Sequence, residues 1–193
     1  MYAIEPDPTS FSTLNANVRL NPAAAAKTRL FFECIAAEAA AAAEFVGSGD
    51  GSSRSAAAVG DAGLRGGSGW TVPCRTLPDF IAAEGVDVEQ LALVKLDVVG
   101  MELSVLASLK GFLAARRTKP AILLTVYAPA WKRDDGSDHA LRLAAAWEIA
   151  SSYKFLYDER LEPLGKDART FCATAGCRML LSDTAYLGPS GDA

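Results

Sequence analysis

The stretch Leu91–Tyr127 constrains the fold of this chain more than any other. LALVKLDV (91–98) is an apolar run of strand length. Met101–Leu113 then sets Met101, Val105, Leu109 and Phe112 at helical spacing, which predicts one amphipathic helix. Pro120 closes the connection, and AILLTVY (121–127) is a second apolar run. Strand, helix and strand of these lengths specify parallel neighbours, because parallel strands need a long crossover rather than a tight turn.

The rest of the chain extends this unit on both sides. Tyr2–Glu5 reads as a short strand. Asp7 caps the helix that follows, and Pro8 takes its first position, where a missing N–H costs nothing. Phe11, Leu14 and Val18 share one face of that helix, and Asn21-Pro22 stops it. Arg29–Ile35 (RLFFECI) reads as a single buried strand. Thr76-Leu-Pro-Asp79 is a capping-box signature for a short helix carrying Phe80 and Ile81, closed by Gly85. Asp138–Tyr153 is a further helix, and Phe155–Leu164 with Thr170–Leu181 form a closing antiparallel pair that turns at Ala175-Gly176. The order predicts an α/β sandwich with a mostly parallel sheet and a C-terminal antiparallel hairpin. At 193 residues one domain is expected, over residues 1–187, with a polar tail at 188–193. Residues 47–69, rich in Gly, Ser and Ala, are expected as a mobile surface loop; they lack the G-K-[ST] of a phosphate-cradling loop.

Charge and cysteine usage narrow the classes. A net charge of −4 argues against a nucleic-acid binder, and the basic run Ala114–Lys119 reads as cations at a helix C-terminus. Ala36–Val46 is broken by Glu38 and Glu44, so no membrane span is expected, and the N-terminus lacks the regions of a signal peptide. A soluble, cytoplasmic protein is the default expectation. Cys34, Cys74, Cys172 and Cys177 include no C-x-x-C pair, and His139 stands alone in a helical run, so no metal site is expected. Cys172 and Cys177 could face each other across the hairpin, but buried free thiols are the expectation for all four.

Ligands of parallel α/β sheets bind beyond the carboxyl ends of the strands. Two acids stand at such ends, Glu5 and Asp97. One carboxylate can accept from both hydroxyls of a ribose, which suits Glu5; the alternative is a carboxylate that only helps to start the following helix. The spacing does not separate a nicotinamide cofactor from S-adenosylmethionine. Asp97, with Glu102 on the next helix's first turn, either positions a cation or substrate hydroxyl or supplies favourable acids at a helix start.

These residues also carry a resemblance. YAIEPDPTSFSTLNANVRLN, VPCRTLPDFI, LVKLDVVGMELSVL and AILLTVY, spread over residues 2–127, resemble in order and spacing the corresponding segments of FkbM-type methyltransferases. The resemblance implies a Rossmann-like class I fold that transfers the methyl group of S-adenosylmethionine, usually to an oxygen of a small-molecule or sugar-like acceptor. It implies that Glu5 holds the cofactor ribose, that Ala36 and Ala37 lie near the adenine, and that Asp97 and Glu102 flank the reacting methyl and its acceptor. The chain departs from the pattern at Val99 and Thr125, where acids are usual, and it begins after the family's first strand and glycine-rich loop. Those departures motivate a second reading, a non-catalytic methyltransferase-like binding module. A nicotinamide-dependent oxidoreductase is a third, but it accounts for none of LVKLDVVGMELSVL. A hydrolase finds no G-x-S-x-G.

Overall fold

The computed structural model describes residues 1–47, 53–55, 69–98, 101–125, 137–165 and 178–185. They fall into two compact units, Met1–Thr76 and Leu77–Ala193.

The first unit opens with β1 (Tyr2–Ile4), α1 (Pro8–Arg19), α2 (Pro22–Ala25) and β2 (Arg29–Phe31). As predicted, Asp7 caps α1: its Oδ1 accepts from the Ser10 N–H at 2.7 Å, with Pro8 at the first helical position. The helices return the chain so that β1 and β2 run parallel, Tyr2 opposite Arg29 and Ile4 opposite Phe31. Phe11, Leu14 and Val18 are only half-buried.

The expected single strand Arg29–Ile35 is instead two. After β2, Phe32 is 41% exposed, and the chain resumes as β3 (Cys34–Ile35) in a different sheet. Glu33 lies at the break. An acid inside an apolar run needs a cation before it can be buried, and Glu33 finds Arg75. That second sheet has the order β3-β6-β4-β5, with β4 (Ala40–Gly47), β5 (Ser53–Ser55) and β6 (Gly69–Arg75). β6 pairs with β3 in parallel and with β4 antiparallel, and β4 pairs antiparallel with β5. The ends of the expected loop 47–69 therefore belong to a sheet, as do Ser53–Ser55 within it; the remainder, 48–52 and 56–68, lies outside the described residues. Pro73 in the middle of β6 has no N–H to give to its neighbour, and the β4 ladder shifts register between Ala40 and Ala43, across from it.

The second unit begins with α3 (Leu77–Ala83), which buries Leu77, Phe80 and Ile81. It ends at Gly85, whose φ of +60° is the left-handed conformation glycine adopts freely, with the Val86 N–H bonded back to the Ile81 carbonyl at 3.0 Å. β7 (Leu93–Leu96), α4 (Glu102–Ser108), α5 (Lys110–Ala114) and β8 (Ala121–Thr125) then form the predicted crossover. Its one expected helix is two, divided at Leu109. β7 and β8 are parallel, Leu93 opposite Ala121 and Leu96 opposite Leu124. α6 (Ser137–Ser151), β9 (Phe155–Tyr157) and β10 (Arg178–Ser182) complete the unit in the strand order β7-β8-β10-β9.

β10 is antiparallel to both β8 and β9, so this sheet is mixed, as is the sheet of β3 to β6. The expectation of a mostly parallel sheet is corrected on that point: β10, inserted between β8 and β9, runs against both, so two of the three pairings in this sheet are antiparallel. The expected closing hairpin is present as β9 and β10, while its turn at Ala175-Gly176, with Cys172 and Cys177, lies outside the described residues. Val105, Leu106, Ile122, Leu124, Ala146, Ala150, Met179 and Leu181 are fully buried between the helices and the sheet. Each larger one contributes about 2 kcal/mol by leaving water. Tyr153 is buried with them and donates its hydroxyl to the Pro120 carbonyl at 2.9 Å. Of the basic run, Arg116 lies over the Phe112 ring, and Lys119 donates to the Ser152 carbonyl just after α6 rather than to the helix that precedes the run.

Candidate functional site

In the first unit, Glu5 follows directly on the carboxyl end of β1. Its N–H donates to the Phe31 carbonyl at 3.1 Å, which extends the pairing with β2 by one residue. Pro6 then turns the chain, and Glu5 Oε1 accepts from the Asp7 N–H at 2.8 Å. The carboxylate is therefore fixed by its own chain at a helix start. A carboxylate has two oxygens with roughly four acceptor sites, the chemistry that a vicinal diol calls for. Sequence reasoning did not anticipate that the turn is also held from β6: Trp70 Nε1 donates to the Pro6 carbonyl at 2.8 Å.

Ala36 and Ala37 leave β3 half-buried. The Ala36 N–H donates to the Arg75 carbonyl at 3.0 Å, and Ala36 packs on the cluster of Cys34, Phe45, Val72 and Cys74. Two cross-strand links hold the segment before it. Arg75 donates from Nε to Glu33 Oε2 at 2.8 Å and from a second nitrogen to Oε1 at 2.5 Å, a bidentate pair. Cys34 and Cys74 face each other in register and are joined as a disulfide, Cα to Cα 4.6 Å, which corrects the expectation of free thiols for these two. Both are buried, as expected. Glu33 in RLFFECI was the available signal for the ion pair. The disulfide had none, because the register between β3 and β6 is a tertiary fact.

In the second unit, Asp97 follows the carboxyl end of β7 and pairs with Lys95 at 2.8 Å, its side chain 34% exposed. The two residues are one strand period apart and so share a face. Extending the β7–β8 register by one residue sets Asp97 beside Thr125 at the carboxyl ends of both strands. Thr125 is buried, and its hydroxyl has no hydrogen-bond partner among the described residues. Glu102 opens α4 and is fully buried, an acid in a helix's first turn. Val99 and Gly100, between these acids, lie outside the described residues. Among its described residues, the second unit thus has an exposed carboxylate and a hydroxyl without a hydrogen-bond partner at the carboxyl ends of the parallel pair β7 and β8, where α/β sheets hold ligands, and a buried carboxylate at the start of the next helix.

Among the described residues no group of three His, Cys, Asp or Glu side chains could hold a metal ion, and no helix is long and apolar enough to cross a membrane. A concavity of about 330 Å³ lies between α5 and the end of α6, lined by residues that include Lys110, Arg116, Lys119 and Glu148. It borders the loop that enters β8, the end of the strand remote from Asp97 and Thr125, and contains none of the predicted site residues.

The family model of the FkbM methyltransferase domain matches residues 1–153, most of the chain. The protein belongs to this methyltransferase family. No curated protein and no solved structure matches it.

Proposed function

We propose that the protein is an S-adenosylmethionine-dependent methyltransferase acting on a hydroxyl of a small, sugar-like acceptor. Family membership supports methyl transfer in general; the observation that carries the cofactor reading is Glu5, a carboxylate held at 2.8 Å by the Asp7 N–H at the carboxyl end of a parallel strand. A pinned acceptor of this kind fits a ribose diol. It would receive both hydroxyls, with the Ala36–Ala37 segment against the adenine.

The cofactor supplies an activated methyl group on a sulfonium. Asp97, exposed and oriented by Lys95, would accept the proton of the acceptor hydroxyl as its oxygen attacks the methyl carbon and the carbon–sulfur bond breaks. Glu102, at the start of α4, would stand with Asp97 beside the reacting methyl and its acceptor. Thr125 stands where the family pattern has an acid, which leaves Asp97 as the accessible carboxylate of this group. The acceptor is a small molecule rather than a nucleic acid, in keeping with the net charge of −4.

Isothermal titration with S-adenosylhomocysteine tests the reading. Micromolar binding that Glu5→Gln weakens at least about tenfold, as loss of a charge-assisted pair predicts, supports it. A folded chain with no affinity for S-adenosylhomocysteine refutes it and leaves the non-catalytic binding module.

A further inference from the structure

We propose that Trp70 is a positioning residue for the cofactor-binding carboxylate of Glu5, an inference that rests on the reading above. Glu5 Oε1 accepts from the Asp7 N–H at 2.8 Å, and Trp70 Nε1 donates to the Pro6 carbonyl at 2.8 Å. That carbonyl and that N–H are the two ends of one peptide group. A peptide is planar and turns as a rigid plate. The plate between Pro6 and Asp7 is gripped at its oxygen by Trp70 and at its hydrogen by Glu5.

Two consequences follow from the geometry. The plate cannot rotate away from the Glu5 carboxylate without breaking the indole bond, so the orientation of Glu5 is set from β6, by a residue 64 positions beyond Pro6 in sequence. Donation to the carbonyl also polarises the amide and strengthens its N–H as a donor to the carboxylate, the cooperative effect of linked hydrogen bonds. Proline at position 6 contributes as well, because its ring fixes φ and limits how the plate is presented.

Trp70 is itself anchored. Its ring lies nearly parallel to that of Phe45, at 14° with centroids 6.2 Å apart, and packs on the buried cluster of Cys34, Phe45, Val72 and Cys74. The indole N–H is a donor only, so it cannot exchange roles with the carbonyl it meets. The residue stands at the end of the Gly- and Ser-rich stretch 47–69.

The test separates positioning from simple stability. Trp70→Phe keeps an aromatic ring on Phe45 and removes the N–H; the benzothienyl analogue of tryptophan, with sulfur in place of the N–H, keeps the shape more closely and serves if the phenylalanine variant misfolds. Each is titrated with S-adenosylhomocysteine and with its 2′,3′-dideoxy counterpart, which lacks the diol. The expected result is a loss of about 3- to 10-fold for S-adenosylhomocysteine, the worth of one hydrogen bond, and no loss for the dideoxy ligand. In a double-mutant cycle, Trp70→Phe should add nothing to Glu5→Gln, because it acts through Glu5. Equal losses on both ligands, additive losses with Glu5→Gln, or no loss would overturn the role of Trp70. Wild-type protein that binds no S-adenosylhomocysteine would instead overturn the cofactor reading, and this inference with it.

Discussion

Opening the Cys34–Cys74 disulfide should cost the first unit a large part of its stability. The bridge joins residues 40 apart in sequence, in register on the parallel strands β3 and β6. For a loop of that size the chain-entropy model predicts about 4 kcal/mol of stabilisation, gained by restricting the unfolded chain. A domain is stable by only about 5–15 kcal/mol in total, so the loss is substantial. With a urea dependence of about 2 kcal/mol per molar, the midpoint should fall by roughly 2 M on reduction. Urea titrations with and without a dithiol reductant, followed by tryptophan fluorescence, measure it; Trp70 reports from the cluster that contains both cysteines. The double variant Cys34→Ser, Cys74→Ser should have the lower midpoint and be indifferent to reductant. Coincident midpoints for oxidised and reduced wild type would refute the argument. So would rapid alkylation of both thiols in the unfolded, unreduced protein, which would show that the bridge does not form.

Two further outcomes follow from the second unit. Burial, and secondarily the charge of Asp183, raises the Tyr153 hydroxyl above the ordinary phenol range. The unfolded chain therefore loses this proton first as pH rises above about 10, and the stability contributed by the neutral phenol is present below that pH and lost above it. Tyr153→Phe should flatten the alkaline limb of a stability–pH profile, and an unchanged limb would count against the burial argument. Thr125→Val replaces a buried hydroxyl that has no partner among the described residues with a methyl of similar size. It should leave stability unchanged or raise it by about 1 kcal/mol; a loss greater than that, in a denaturant melt, would show that the hydroxyl is satisfied in solution.

What the chain discloses before folding, and what it withholds, divides by the range of the interaction. The cap Asp7-Pro8 and the stop at Gly85 depend on neighbours within a turn or two, and the crossover from Leu93 to Thr125 on the length of the connection between two apolar runs; each was legible. Ala40–Gly47 is the opposite case. Four successive alanines there have high helical propensity, yet the segment is a strand, because β6 and β5 pair with it on both sides and tertiary pairing outweighs a weak local preference. The disulfide and the indole bond to Pro6 are of the same kind, set by how distant segments come into register. Glu33 lies between the two: an acid inside RLFFECI announces that a cation must be near, without saying that it is Arg75.

The same division bears on the two readings of Glu5. Sequence presents them as alternatives, a helix-starting acid or a ligand-binding one; the geometry shows the first, and under the proposed function the two are compatible. The amide that Glu5 engages at the start of α1 is what holds its carboxylate still at the end of β1. A side chain fixed before its ligand arrives loses less rotamer freedom on binding, a saving of about 0.5–1.5 kcal/mol. On the proposed reading, the local role would prepare the ligand-binding one. Removing the Asp7 N–H contact should therefore weaken a diol ligand even though the carboxylate remains.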